Sequence, residues 1–161
     1  MMIPVQLDST GRRRERAPRW LLRGHGAALV LLALGNTAAS YRATQVPTEG
    51  PFRFLYEHPI AELGLLQAYL LMAAIGVVLF AGSFARRFSR FDLLGLGAHL
   101  VPLVALVVFH PLVVAFMGPR TVWMSGGIHV GFITLEVIAL ALALRGGLEG
   151  SQTASLRRQP S

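Results

Sequence analysis

Apolar residues gather in four long stretches, residues 20–41, 60–84, 91–117 and 123–144, separated by short segments rich in arginine and proline. A helix rises about 1.5 Å per residue, so about 20 mostly apolar residues cross a hydrocarbon layer about 30 Å thick. Every stretch meets that length, and none shows the period-two alternation of a membrane barrel. Lipid offers no water to unpaired amides, so each stretch is predicted to be a complete helix. The expected fold is all-α: a polytopic membrane protein built as an antiparallel bundle of four transmembrane helices with tight turns. Residues 1–18 read as a basic cytoplasmic tail, 19–145 as the transmembrane domain and 146–161 as a cytoplasmic C-terminal tail, the polar ends being expected to be disordered.

Composition supports this location. Of 161 residues 53% are hydrophobic and 14% charged, where a soluble domain carries about 25% charged residues. The net charge of +7 comes from 15 arginines, with no lysine, against 8 acidic residues. These cations sit between greasy runs instead of on one folded surface, which argues against a nucleic-acid partner and makes membrane lipid the expected one. Cysteine is absent, which removes disulfides, cysteine metal sites and thiol catalysis.

Arginine-rich short loops stay in the cytoplasm. Twelve arginines fall in the N-terminal flank through Arg23, in the second connection (Arg86, Arg87, Arg90) and at the C-terminal end, against three (Arg42, Arg53, Arg120) in the other loops. The chain is therefore expected in a bacterial-type inner (plasma) membrane, multi-pass, with both termini cytoplasmic. A basic leader followed by residues 27–34 and the small-residue stretch 37–40 also fits a cleavable signal peptide, and removal would leave three spans. The connection over residues 42–59, with Pro47, Pro51, Pro59 and three aromatics, reads as an ordered external cap.

An ionisable group at mid-membrane costs about 2.5 to 3.5 kcal/mol on insertion scales, so each needs a reason to be there. His25, Glu62, His99, His110, His129 and Glu136 fall in the apolar stretches, with Asn36 as a polar companion and His58 just before the second stretch. Helical spacing puts His129 and Glu136 on one face, and His99 and His110 on another. Counting depth from the loops places Glu62, His110 and His129 toward the external side and His25 and His99 toward the cytoplasm. Glu136 lies near the middle, where its carboxyl group must be protonated or paired, with His129 or Asn36 as partners.

Several functions fit these residues. A ligand site built from Glu62, His110 and His129 over Glu136 would suit a quinone, a lipid or another small hydrophobic molecule in an accessory subunit. Imidazole pairs at one depth, His25 with His99 and His110 with His129, would suit haem b in a redox protein. His58, Glu62, His110 and His129 would suit a transition metal. Glu136 alone could exchange protons in a small proton-coupled transporter. No motif of soluble-type catalysis occurs, so whether the chain is an enzyme stays open at this point. Gly127 and Gly131 form a GxxxG pair on the fourth stretch, an expected contact for a homo-oligomer or a larger membrane complex. Pro102 and Pro111 are expected to kink or loosen the third helix.

The order of a first helix, a proline-rich external loop, the segment Pro59-Ile60-Ala61-Glu62-Leu63-Gly64-Leu65-Leu66, an arginine-rich turn and a third helix ending near Phe109-His110 resembles the DoxX-like four-helix membrane proteins. That resemblance covers residues 20–144. It implies the four-helix fold, a recurring glutamate that maps onto Glu62, and a place beside quinone-linked oxidoreductases for some members.

Overall fold

A computed structural model describes the backbone of residues 9–85 and 88–156, and side chains from 16 to 85 and from 88 to 145. The described residues are all helical or loop, with no strand. Five α-helices follow in order: α1 (Ser9–Gln45), α2 (Ala61–Gly82), α3 (Ser89–Val108), α4 (His110–Met117) and α5 (Pro119–Leu156), with a 3-10 turn at Arg53–Leu55. Helices α2, α3 and the Pro119–Arg145 part of α5 are long and apolar enough to cross a membrane.

Two boundaries differ from the sequence expectation. Helix α1 begins at Ser9 and α5 runs to Leu156, so most of each expected tail continues a helix; residues 1–8 and 157–161 lie outside the described residues. The third apolar stretch is two helices, broken at Phe109, whose φ of −100° and ψ of 20° leave the helical region. Pro111 is the cause: it has no N–H to offer the preceding turn, and it opens α4 where a helix tolerates it best. Pro102 stays inside α3.

The packing follows a ring. Helix α1 lies against α2 and α5, α5 against α3, and α3 against α2, while α4 leans on α5. Leu22, Leu29, Leu79 and Phe88 form the buried core. Outward, Leu31, Ile60, Val101, Val107 and Trp123 are exposed, and apolar surface that continuous needs lipid or protein as its solvent.

The tightest contact joins α1 to α2. A Cβ at Gly26 would lie 2.5 Å from the carbonyl oxygen of Gly76, and one at Gly76 would lie 2.7 Å from that of Gly26. Backbone therefore touches backbone, as only paired glycines permit. The expected glycine face is elsewhere and different: a Cβ at Gly127 or Gly131 would meet nothing within 4 Å among the described residues.

At the arginine-rich end, the Arg19 guanidinium donates to the carbonyls of Ser83 and Ala85, both at 2.9 Å. Arg23 donates to Ser83 Oγ at 3.0 Å and lies over the Phe84 ring at 4.1 Å. These contacts satisfy the carbonyls that end α2 and pin the α2–α3 turn onto α1. At the other end Leu55 of the 42–59 connection is fully buried, and Phe54 meets Phe116 of α4 edge to face. The connection is an ordered cap.

Gly76→Ala should lower stability in detergent by at least about 1–3 kcal/mol, because the clash is with backbone that cannot step aside. Gly97→Ala, whose Cβ would meet nothing within 4 Å, should leave the thermal midpoint unchanged or raise it.

Candidate functional site

The polar residues of α1, α3 and α5 converge inside the ring. His129 and Glu136 are seven residues apart, about 10 Å along α5, and two imidazoles from other helices fill the interval. Nδ1 of His129 lies 3.0 Å from Nδ1 of His99. Nε2 of His99 lies 2.7 Å from Nε2 of His25. Nδ1 of His25 contacts the Glu136 carboxylate, a buried ion-pair geometry. The result is an unbroken line of hydrogen-bonding groups, His129–His99–His25–Glu136.

Local packing explains each position. The Gly26–Gly76 crossing brings α1 close to α2 and fixes the rotation of α1, which turns the adjacent His25 into the interior. Phe132, one turn from both His129 and Glu136 on α5, stacks on His25 and on His99, each with ring centres 4.6 Å apart. Gly95 on α3 makes room for Glu136, since a Cβ there would sit 2.7 Å from its Oε1. His25, His99 and Glu136 are 4%, 2% and 3% exposed, whereas His129 is half-buried. The line therefore has one sealed end and one end open toward the surroundings of the bundle.

Asp92 belongs beside the sealed end. It lies one turn before Gly95 on α3, is fully buried, and stands within electrostatic reach of Glu136. Among the described residues neither of its oxygens has a hydrogen-bond partner, nor does Oε2 of Glu136. Unpaired polar atoms in a protein interior are rare and call for an explanation. Asp92, the second residue of the 91–117 stretch, is not among the site residues expected from the sequence.

The expected groupings are redistributed. His129 joins the cluster of His25 and His99 instead of an external-side pocket with Glu62 and His110. Glu62 accepts a hydrogen bond from Ser40 at 2.9 Å, a separate polar contact between α1 and α2. His110 is exposed at the start of α4. His58 lines a cavity of about 520 Å³ at the 42–59 connection, with Arg53, Phe54 and Phe116. The set His58, Glu62, His110 and His129 is thus dispersed, and among the described residues no three His, Asp or Glu side chains are placed to hold a metal ion. The haem pairs are not formed either. His25 and His99 meet directly at 2.7 Å, while a metal between two imidazole nitrogens would hold them about 4 Å apart. The partner of Glu136 is His25, neither His129 nor Asn36.

No family model matches the chain, and no solved structure does. Among curated proteins, phytoene synthase of Thermus thermophilus is 36% identical over 90 residues, 55% of this chain and 31% of that protein. The chain thus spans less than a third of that relative's length.

Gly95→Ala should push the Glu136 carboxyl group off His25 and lower the thermal midpoint in detergent, at a cost of about 1–3 kcal/mol. His110→Ala should leave the midpoint where it is.

Proposed function

We propose that the chain is a four-span integral membrane protein, with α1, α2, α3 continued by α4, and α5 crossing the bilayer antiparallel, and both termini cytoplasmic. Its buried polar line receives the polar head of a lipid-soluble molecule. It acts as an accessory component in the membrane handling of such molecules. The observation that carries this reading is the asymmetry of the line. His25, His99 and Glu136 are sealed, and His129 alone is half-open, with Nε2 unengaged among the described residues.

An imidazole nitrogen offered at mid-membrane is a specific partner for a carbonyl or hydroxyl carried on an apolar tail, and it repels nothing that lipid already contains. A quinone or another prenyl-chain lipid has that chemistry. The similarity to phytoene synthase points the same way, since phytoene is an isoprenoid. The resemblance to DoxX-like proteins adds the four-span plan and Glu62, which here braces α2 against Ser40. The exposed Gly127 and Gly131 strip of α5 is the surface for a second copy or a larger complex.

A small proton-coupled transporter is the second reading. The unpartnered Asp92 favours it, because it stands between Glu136 and the arginine-rich end of the bundle.

The test is lipid analysis of protein purified in mild detergent. The wild type should retain a prenyl-chain lipid enriched over the bulk membrane, and His129→Ala should lose it at least tenfold while still inserting and expressing. Glu62→Gln should retain it. Equal retention by His129→Ala, or no enrichment in the wild type, removes the reading.

A further inference from the structure

Every ring nitrogen along the line is engaged except one. His25 uses Nδ1 toward Glu136 and Nε2 toward His99, and His99 uses Nε2 toward His25 and Nδ1 toward His129. A neutral imidazole carries one N–H and one lone pair, so each contact dictates the next. With Glu136 ionised, His25 Nδ1–H donates to the carboxylate. His25 Nε2 is then an acceptor, so His99 donates from Nε2–H; His99 Nδ1 then accepts from His129 Nδ1–H, and His129 Nε2 is left bare. With Glu136 protonated, its O–H donates to His25 Nδ1 and every donor reverses. His25 then donates from Nε2–H, His99 donates from Nδ1–H, and His129 presents Nε2–H.

We propose that His129, His99, His25 and Glu136 form a one-proton switch, in which protonation at Glu136 inverts all three imidazole tautomers and turns the open His129 nitrogen from acceptor into donor. One proton converts one arrangement into the other. It enters at His129 Nε2, each ring passes on the proton it held, and the last arrives on Glu136; all three rings are neutral before and after. The open nitrogen therefore selects a hydroxyl-bearing head in one state and a carbonyl-bearing head in the other. That assignment of ligand chemistry rests on the proposed lipid-binding role, whereas the switch itself does not.

The surroundings leave few competing groups. From α3, Asp92 faces Glu136. From α1, the Arg23 guanidinium turns away to Ser83, Phe84 and Trp20. At the level of His25, where Gly26 meets Gly76 and Phe80, residues 72–80 of α2 contain no titratable side chain. On α5, the next charge after Glu136 is Arg145, nine residues on. Phe132, which does not titrate, stacks on both His25 and His99.

Nitrogen NMR of histidine-labelled, lipid-stripped protein in phospholipid nanodiscs tests this across a pH series. The expected result is that His25, His99 and His129 exchange their protonated and bare nitrogens together, with one common midpoint, and none becomes doubly protonated. Glu136→Gln should abolish the exchange. His25→Phe, which keeps an aromatic ring against Phe132, should leave His99 and His129 in a single tautomer at every pH and serves if the first variant does not fold. Separate midpoints, doubly protonated rings, or a common exchange that survives both substitutions would overturn the switch. Loss of enriched lipid with the exchange intact would instead remove the ligand reading alone.

Discussion

The contact between His25 and Glu136 is the constraint around which the interior is arranged. Lipid and packed protein both penalise an unpaired charge or a bare polar atom, and water cannot be recruited to relieve it. The Glu136 carboxyl group finds its partner on another helix, and that partner must then satisfy its own second nitrogen. That requirement propagates from Glu136 to His25, to His99 and to His129, fastening α5, α1 and α3 to one another over about two turns of α5. Helix faces with no such obligation are left apolar and turned outward.

Close approach of helices is what makes the contact reachable. Gly26 and Gly76 let α1 and α2 touch through their backbones, and Gly95 opens space on α3 for the Glu136 carboxyl group. Arg19 and Arg23 hold the α2–α3 turn against α1, so α3 starts where His99 can reach His25. Small residues and arginine clamps thus set the geometry that the titratable residues use. The same arrangement fits a site that reads the donor or acceptor character of a lipid-borne head, since the nitrogen left open among the described residues of the line lies at the half-buried end.

Much of the fold was legible because length and apolarity are local properties. Residues 60–84 and 123–144 are long helices for the reason their composition suggests. The break at Phe109 was half-legible: Pro111 announced a disturbance, but whether a proline kinks or ends a helix depends on what packs beside it. Equal depth brought His25 and His99 together as a haem pair, whereas the two rings meet each other directly. His129 was misplaced because depth counted from the loops assumes helices that start level, and α5 starts at Pro119, further from the middle than its apolar run suggested. Asp92 escaped notice since it stands at the arginine-rich start of the 91–117 stretch, although its own side chain is buried. Which glycines touch could not be read either: the GxxxG spacing picked out Gly127 and Gly131, while the contact formed between two glycines on different helices that share no local pattern.

A double-mutant cycle on His25 and Glu136 tests the account most directly, with the stability of His25→Ala, Glu136→Gln and the double variant measured in one detergent. Removing either partner alone should be strongly destabilising, and the double variant should recover part of the loss, giving a coupling of about 1–3 kcal/mol. Additive losses, with no coupling between the two positions, would contradict it.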